Sequence, residues 1–168
     1  QRKPSPGRPN LALADYIDAE PWYVIPPTFS AAEMAGLAAY LSAPVESGDP
    51  YALLRAGQGQ VAPWTTRFAT IHLEFGNELW GSNYEDDPFW GATVHGGKNV
   101  AQLAAARFAA LKASPWYDPT HYNLVIGGQT FYTPTNTTIA VNSSDHSSLA
   151  LAPYFGRRLS ADTTAGDL

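Results

Sequence analysis

The chain has 168 residues, 45% of them hydrophobic, with a formal charge of -5 at pH 7 and no cysteine. This length suits one ordinary domain, and the hydrophobic content is ample for a folded core, whereas a disordered chain shows the reverse balance. The negative charge argues against nucleic acid, which requires a basic surface. The lack of cysteine excludes disulfides and thiolate metal sites. No apolar run approaches the roughly 20 residues of a membrane span, so we expect neither a nucleic-acid nor a membrane partner.

The N-terminal part of the chain predicts a helix followed by a strand. Residues 1–10 are rich in proline and basic side chains, and we expect a flexible or truncated terminus there. Apolar residues share one stripe between residues 11 and 19, which is typical of the end of a helix. Residues 22–25 form an apolar run that two prolines stop, and this pattern predicts the first strand.

Two helices are expected after this strand. Ser30 and Glu33 have the spacing of a capping box, and apolar residues recur at i, i+3, i+4 and i+7 from Met34. This combination predicts an amphipathic helix that begins after Ser30. A second, short helix is expected near residues 51–56.

The rest of the chain predicts three more strands, at residues 71–75, 122–126 and 148–152. An aromatic and glycine-rich loop is expected over residues 79–97, and a helix from residue 98 or 99 to residue 112. The Thr- and Asn-rich stretch between the third and fourth strands is expected to be irregular. Strands that alternate with helices indicate a parallel α/β sheet, and nearly continuous apolar strands indicate that both of its faces are covered.

The most informative stretch follows the second strand, where an alternating run ends in Gly76-Asn77-Glu78. Enzymes with parallel barrels carry their chemistry at the C-terminal tips of strands. A glutamate there can act as a general acid if burial or a nearby charge raises its pKa. Retaining glycoside hydrolysis needs a second carboxyl about 5–5.5 Å away. Glu74 is about 13 Å away at ~3.3 Å per residue, so we expect it inside the barrel, hydrogen-bonded or paired with His72 or another neighbour. The alternative for Glu78 is an exposed loop carboxylate.

The segment Gly76-Asn77-Glu78, followed by Leu79-Trp80-Gly81, resembles the acid/base strand of retaining (β/α)8-barrel glycoside hydrolases, most closely the α-L-arabinofuranosidase type. The resemblance extends from the helix at Leu11 to Phe155. It implies a partial (β/α)8 TIM barrel over residues 11–155, with about four parallel strands, helices outside and a polar tail at residues 156–168. It also implies that Glu78 is the general acid/base and that Asn77 binds the sugar hydroxyl next to the anomeric carbon.

The nucleophile of that family is a second glutamate on a later strand, and this sequence has no glutamate after Glu85. The later acidic residues are all aspartates: Asp86, Asp87, Asp118, Asp145, Asp162 and Asp167. The resemblance therefore implies a part of a retaining hydrolase for plant-type oligosaccharides or polysaccharides. That part would carry the acid/base but not the nucleophile, and it would be inactive without a complementing segment.

Three further residues are candidates for sugar binding. Trp80 lies in the aromatic loop after Glu78, Gln129 follows the third strand, and Tyr154 follows the fourth. Flat aromatic faces suit the C–H surfaces of sugars, and an amide can bond to a hydroxyl. The alternatives are that the aromatics pack the loop itself and that Gln129 is only a turn residue. The four histidines lack metal-binding spacing such as H-E-x-x-H, so we expect no metal and no other cofactor.

Four strands are half of the eight in a complete barrel, and an open half-barrel leaves two sheet edges unpaired. The chain could be a piece of a split enzyme, a fragment whose two copies close one barrel, or a smaller open sheet, and we favour the first two. The expected partners are a carbohydrate and either a complementing barrel segment or a second copy. The alternative function is a non-catalytic, carbohydrate-binding or self-assembling fragment. The location stays open, with a secreted or periplasmic one favoured, because a processed chain would have lost its signal peptide.

Overall fold

The computed structural model of the protein describes residues 7–77, 79, 97–130 and 133–152. Within these ranges, strands alternate with helices along the chain. The elements are α1 (Gly7–Tyr16), β1 (Trp22–Ile25), α2 (Ala31–Ser42), α3 (Pro50–Gly57), β2 (Ile71–Phe75), α4 (Gly97–Lys112), β3 (Tyr122–Gln129), α5 (Thr133–Asn142) and β4 (Ser148–Ala152). Short 3-10 turns at Val45–Ser47 and Trp64–Thr66 precede α3 and β2, respectively.

The four strands form one parallel sheet in the order β1-β2-β3-β4. The outer face of this sheet carries Ile71, Leu73 and Phe75 of β2, which are buried in the core beneath the helices. The inner face carries His72 and Glu74, which are only half-buried. Four parallel strands with helices outside form a partial (β/α) barrel, and the predicted fold class is confirmed.

The N-terminus of α2 forms as its sequence predicts. The Ser30 hydroxyl accepts a hydrogen bond from the Glu33 backbone N–H at 3.3 Å, and the Glu33 carboxylate accepts one from the Ser30 N–H at 2.7 Å. This reciprocal pair satisfies two backbone donors that a helix start otherwise leaves free. The apolar side of α2 is buried, with Met34 and Leu41 at its two ends.

The first helix ends earlier than predicted. It begins at Gly7, and it ends at Tyr16 instead of residue 19. The cause of the early end is Asp18, whose φ of 56° is left-handed. The Ala19 N–H then bonds back to the Ala14 carbonyl at 2.9 Å, which closes the helix. The boundaries expected at residues 11, 155 and 156 stay predictions.

The predicted irregular stretch after β3 is wrong, because residues 133–142 form α5. Its sequence is poor in strong helix formers and rich in β-branched residues. Tertiary contacts hold it instead: Ile139 is fully buried in the core, and the Asn136 side chain bonds to both backbone groups of Gln129. The strand–helix alternation therefore continues without a break between β3 and β4.

Candidate functional site

The C-terminal end of β2 is a tight turn that only glycine fits. Gly76 has a φ of 66°, and its N–H bonds to the Ile25 carbonyl of β1 at 2.9 Å. Leu79 is buried against this turn, and a Cβ on Gly76 would overlap the Leu79 side chain and lie 3.0 Å from Pro27. The turn thus directs the chain away from the strand at the edge of the sheet where barrel enzymes place their active sites.

Asn77 is exposed beside this turn. Strict alternation along β2 would place it with Ile71, Leu73 and Phe75 on the buried outer face. Its exposure shows that the alternation ends at Phe75, because the left-handed conformation of Gly76 redirects the chain. Asn77 therefore lies at the C-terminal edge of the sheet, where a ligand could reach it, and its role as a sugar ligand stays a prediction.

Gln129 is the last residue of β3 and is half-buried. Its N–H donates to the Asn136 side-chain oxygen at 2.9 Å, and its carbonyl accepts from the Asn136 amide nitrogen at 2.6 Å. These two bonds fix its backbone to α5. By alternation its side chain is on the inner face, level with Ala152 of β4. This position suits the predicted contact with a sugar hydroxyl, which the structure does not test.

Three of the five predicted site residues lie outside the residues that the structure describes. They are Glu78, Trp80 and Tyr154. Their proposed roles, as general acid/base and as sugar ligands, stay predictions from the sequence. The described neighbours of Glu78 are the exposed Asn77 and the buried Leu79.

A chain of polar side chains crosses the inner face of the sheet. Ser148 of β4 donates to the Asn123 side-chain oxygen of β3 at 2.7 Å. The Asn123 amide nitrogen lies 2.9 Å from His72 Nδ1, and His72 Nε2 lies 3.2 Å from the Glu20 carboxylate. Because Asn123 donates through its amide, His72 accepts at Nδ1 and donates through Nε2. This series of hydrogen bonds therefore links β2, β3 and β4, and each donor in it meets an acceptor.

Glu74 is hydrogen-bonded to a neighbouring strand, as predicted. Its carboxylate accepts a hydrogen bond from the Trp22 indole at 2.8 Å, while the Trp22 ring stacks on His72 at 4.9 Å between ring centres. Burial raises the pKa of Glu74, and the Trp22 hydrogen bond opposes that rise. The prediction that Glu74 is a hydrogen-bonded carboxylate on the interior face is correct, and its partner is Trp22 rather than His72.

These polar side chains lie away from the C-terminal edge of the sheet. Trp22, His72 and Asn123 occupy one row across the sheet, near the start of the strands. Asn77 and Gln129 lie at the opposite end. The row joins neighbouring strands on the inner face. Trp22, Asn123 and Ser148 were not predicted to take part in it, although the period-2 alternation of each strand places them on the inner face.

In the part of the chain that the structure describes, no group of three or more histidine or acidic side chains is placed to hold a metal ion. In the same part, no helix is both long and apolar enough to cross a membrane.

Comparison with known proteins shows a similarity of structure and none of sequence. No protein-family model and no curated protein sequence matches this chain. Its structure is similar to the crystal structure of an α-L-arabinofuranosidase from Thermotoga maritima in complex with arabinose, with a TM-score of 0.59 and 20% sequence identity. The similarity covers 81% of this chain and 25% of that chain, so the protein spans about a quarter of that enzyme's length. At this identity the likeness shows the fold alone, a partial (β/α) barrel.

Proposed function

We propose that the protein is part of a retaining glycoside hydrolase of the α-L-arabinofuranosidase type, acting on plant-type oligosaccharides or polysaccharides. One observation carries the proposal: Asn77 is exposed at the C-terminal edge of β2, in a fold that is similar to an α-L-arabinofuranosidase over 81% of this chain. Residues at strand tips on that edge do the chemistry in barrel enzymes.

In this proposal, Glu78 is the general acid/base. It protonates the leaving glycosidic oxygen in the first step and takes a proton from water in the second. Asn77 bonds to the sugar hydroxyl next to the anomeric carbon, and this bond strengthens in the transition state. Trp80, Gln129 and Tyr154 contact the rest of the sugar. No cofactor takes part in the two steps.

The nucleophile comes from a complementing barrel segment. A retaining enzyme needs a second carboxyl about 5–5.5 Å from the first. Glu74 does not fit this role, because its carboxylate already accepts a hydrogen bond from the Trp22 indole on the inner face of the sheet. We therefore expect the isolated chain to hydrolyse glycosides very slowly.

An external nucleophile provides the test. We expect azide to attack the anomeric carbon of aryl α-L-arabinofuranosides bound to the chain, while the departing phenol takes its proton from Glu78. Glu78→Gln should then slow azide-dependent release by about 100-fold or more for phenyl glycosides. The loss should be much smaller for dinitrophenyl glycosides, since their leaving groups need no protonation.

Glu85→Gln is the matched control, since it removes the next glutamate along the chain and should leave the rate unchanged. Equal rates for wild type and Glu78→Gln would contradict the acid/base role. Full turnover by the purified chain without azide would contradict the missing nucleophile.

The second candidate function is carbohydrate binding without catalysis. The exposed Asn77 and the half-buried Gln129 at the C-terminal edge of the sheet favour it, since amides can bind sugar hydroxyls without a nucleophile. Calorimetry with arabino-oligosaccharides separates the two candidates. Binding that persists in Glu78→Gln and weakens in Asn77→Ala, with no azide-dependent release from the wild type, would favour a binding fragment.

A further inference from the structure

The two edge strands of the sheet are β1 and β4. β1 pairs with β2 and β4 pairs with β3, and within the described residues no strand pairs with their other sides. The carbonyls of Pro21 and Ile25 bond to β2. Because backbone groups alternate in direction along a strand, those of Trp22 and Val24 point to the free edge. Such an edge is a template for pairing with another strand.

Exposed apolar side chains occur along both edges. Among the described residues, five of the ten large exposed hydrophobic side chains lie on an edge strand or on α1, which contacts β1: Leu13, Tyr16, Trp22, Val24 and Leu151. Exposed apolar side chains beside an unpaired strand edge favour association with another protein surface.

We propose that two copies of this chain close one eight-stranded barrel. The four strands are parallel and lie in chain order. A half-turn about the barrel axis therefore places β1 of one protomer beside β4 of its partner, parallel to it, at both seams. Eight strands are the number whose interior side chains fill a closed barrel. The two identical seams satisfy the closed two-fold symmetry that is commonest among oligomers.

The side chains at the seam fit this pairing. On the inner face β1 presents the large Trp22 and Val24, whereas β4 presents the small Ser148 and Ala150. Large side chains beside small ones allow the layers of a barrel interior to interdigitate. On the outer side, the exposed face of α1 meets the helix before β4. The inference rests on the fold and concerns the chain by itself: the complementing segment of the proposed function would replace the second copy at the same two edges.

The mass in solution is the first test. We expect twice the chain mass of 18.1 kDa by sedimentation. Val24→Lys should raise the dissociation constant at least tenfold, since an inward charge blunts a strand edge. Val61→Lys is the matched control: Val61 is more exposed than Val24 but lies away from both edges, so its dimer should persist. Leu151→Lys repeats the test at the other edge, and circular dichroism checks that every variant folds.

Because the sequence has no cysteine, single cysteine substitutions can serve as cross-linking reporters in a second test. Neighbouring strands lie about 4.8 Å apart, within the Cα separation that a disulfide spans. A mixture of Val24→Cys with Ser148→Cys or Ala150→Cys chains should give mixed disulfide dimers. Any of four results would overturn the closed ring. Two concern the wild type: a monomer at all concentrations, or a mass above that of the dimer. The other two concern the variants: cross-links between Val24→Cys chains alone, or no cross-link with either the Ser148→Cys or the Ala150→Cys chain.

Discussion

The side chain of Arg55 joins three segments of the fold. It is completely buried, and its guanidinium donates to the carbonyls of Tyr40 and Ala43 at 2.7 Å, Val61 at 3.1 Å and Gln60 at 3.2 Å. Two of these carbonyls belong to the C-terminal end of α2, where helices leave acceptors without internal partners. Burial lowers the pKa of Arg55, yet an arginine keeps its charge in proteins.

Arg55→Leu should therefore cost roughly 3–5 kcal/mol of unfolding free energy, because it removes the hydrogen bonds to four carbonyls, two of them buried. Urea denaturation followed by circular dichroism measures the loss. The control is Arg67→Leu, which removes an exposed pair with Asp15 and should cost less than about 1 kcal/mol. Similar losses for the two variants would show that the Arg55 bonds contribute little.

The contribution of Glu74 to the unfolding free energy should fall as pH rises, which is opposite to the usual behaviour of a carboxylate. Its folded-state pKa is raised by burial above the ordinary value of 4.5. At a pH between the ordinary pKa and the raised pKa, the folded state binds more protons than the unfolded state. The contribution of Glu74 to stability therefore falls as pH rises through this window. Glu74→Gln removes the buried charge and should stabilise the protein more at pH 7 than at pH 4.

Glu33→Gln is the control of opposite sign for this measurement. Hydrogen bonds from Ser30 lower the pKa of Glu33, so its contribution is present at neutral pH and is lost as pH falls through the folded pKa. Unfolding free energies of both variants at pH 4 and pH 7 decide the matter. A gain for Glu74→Gln that is larger at pH 4 would contradict the effect of burial.

At the scale of elements, the turn after β2 should depend on its glycine. Gly76→Ala adds a methyl group that overlaps Leu79, at a left-handed φ that alanine adopts at a cost. We expect a loss of about 1–3 kcal/mol and a shift in the NMR signals of Asn77. Gly57→Ala at the end of α3 meets no atom within 4 Å and is the matched control. A neutral Gly76→Ala would show that the turn relaxes easily.

The helix α5 should depend on one amide. Asn136→Ala removes both bonds to the backbone of Gln129 and should cost about 1–3 kcal/mol. Asn142→Ala removes only a local bond to Thr138 within the helix, so it should cost less than half as much. Thermal unfolding of the two variants measures the difference, and equal losses would mean that Asn136 does not anchor α5 to β3.

The elements divide into those that local sequence determines and those that it does not. The strands at residues 22–25, 71–75 and 148–152 were predicted at their observed limits, because apolar runs bounded by prolines and glycines suffice. The helix α5 was missed, since its own residues favour other conformations and Ile139 holds it through burial. Long-range packing of this kind leaves no local signal.

The candidate site was predictable only in part. The strand tip at Asn77 follows from the sequence, because an apolar run ending in glycine marks the end of a parallel strand. The direction of Asn77 does not follow, since alternation fails where Gly76 takes a positive φ. The partner of Glu74 was equally out of reach, because Trp22 lies 52 residues earlier in the chain.

At the scale of the whole molecule, closure by a second copy should make thermal stability depend on concentration. Association stabilises the folded state by mass action. If two chains unfold together, about a hundredfold rise in concentration should raise the melting temperature by roughly 3–5 °C. Differential scanning calorimetry over a dilution series measures this shift. Val24→Lys should remove the shift and Val61→Lys should keep it, whereas a constant wild-type melting temperature would contradict association.

The sequential strand order also has a consequence for biosynthesis. Each strand lies beside the one that precedes it in the chain. A nascent polypeptide leaving the ribosome can thus dock every new β-strand onto one already in place, without waiting for distant segments. Because synthesis proceeds from the N-terminus, this topology lets the sheet grow one strand–helix unit at a time.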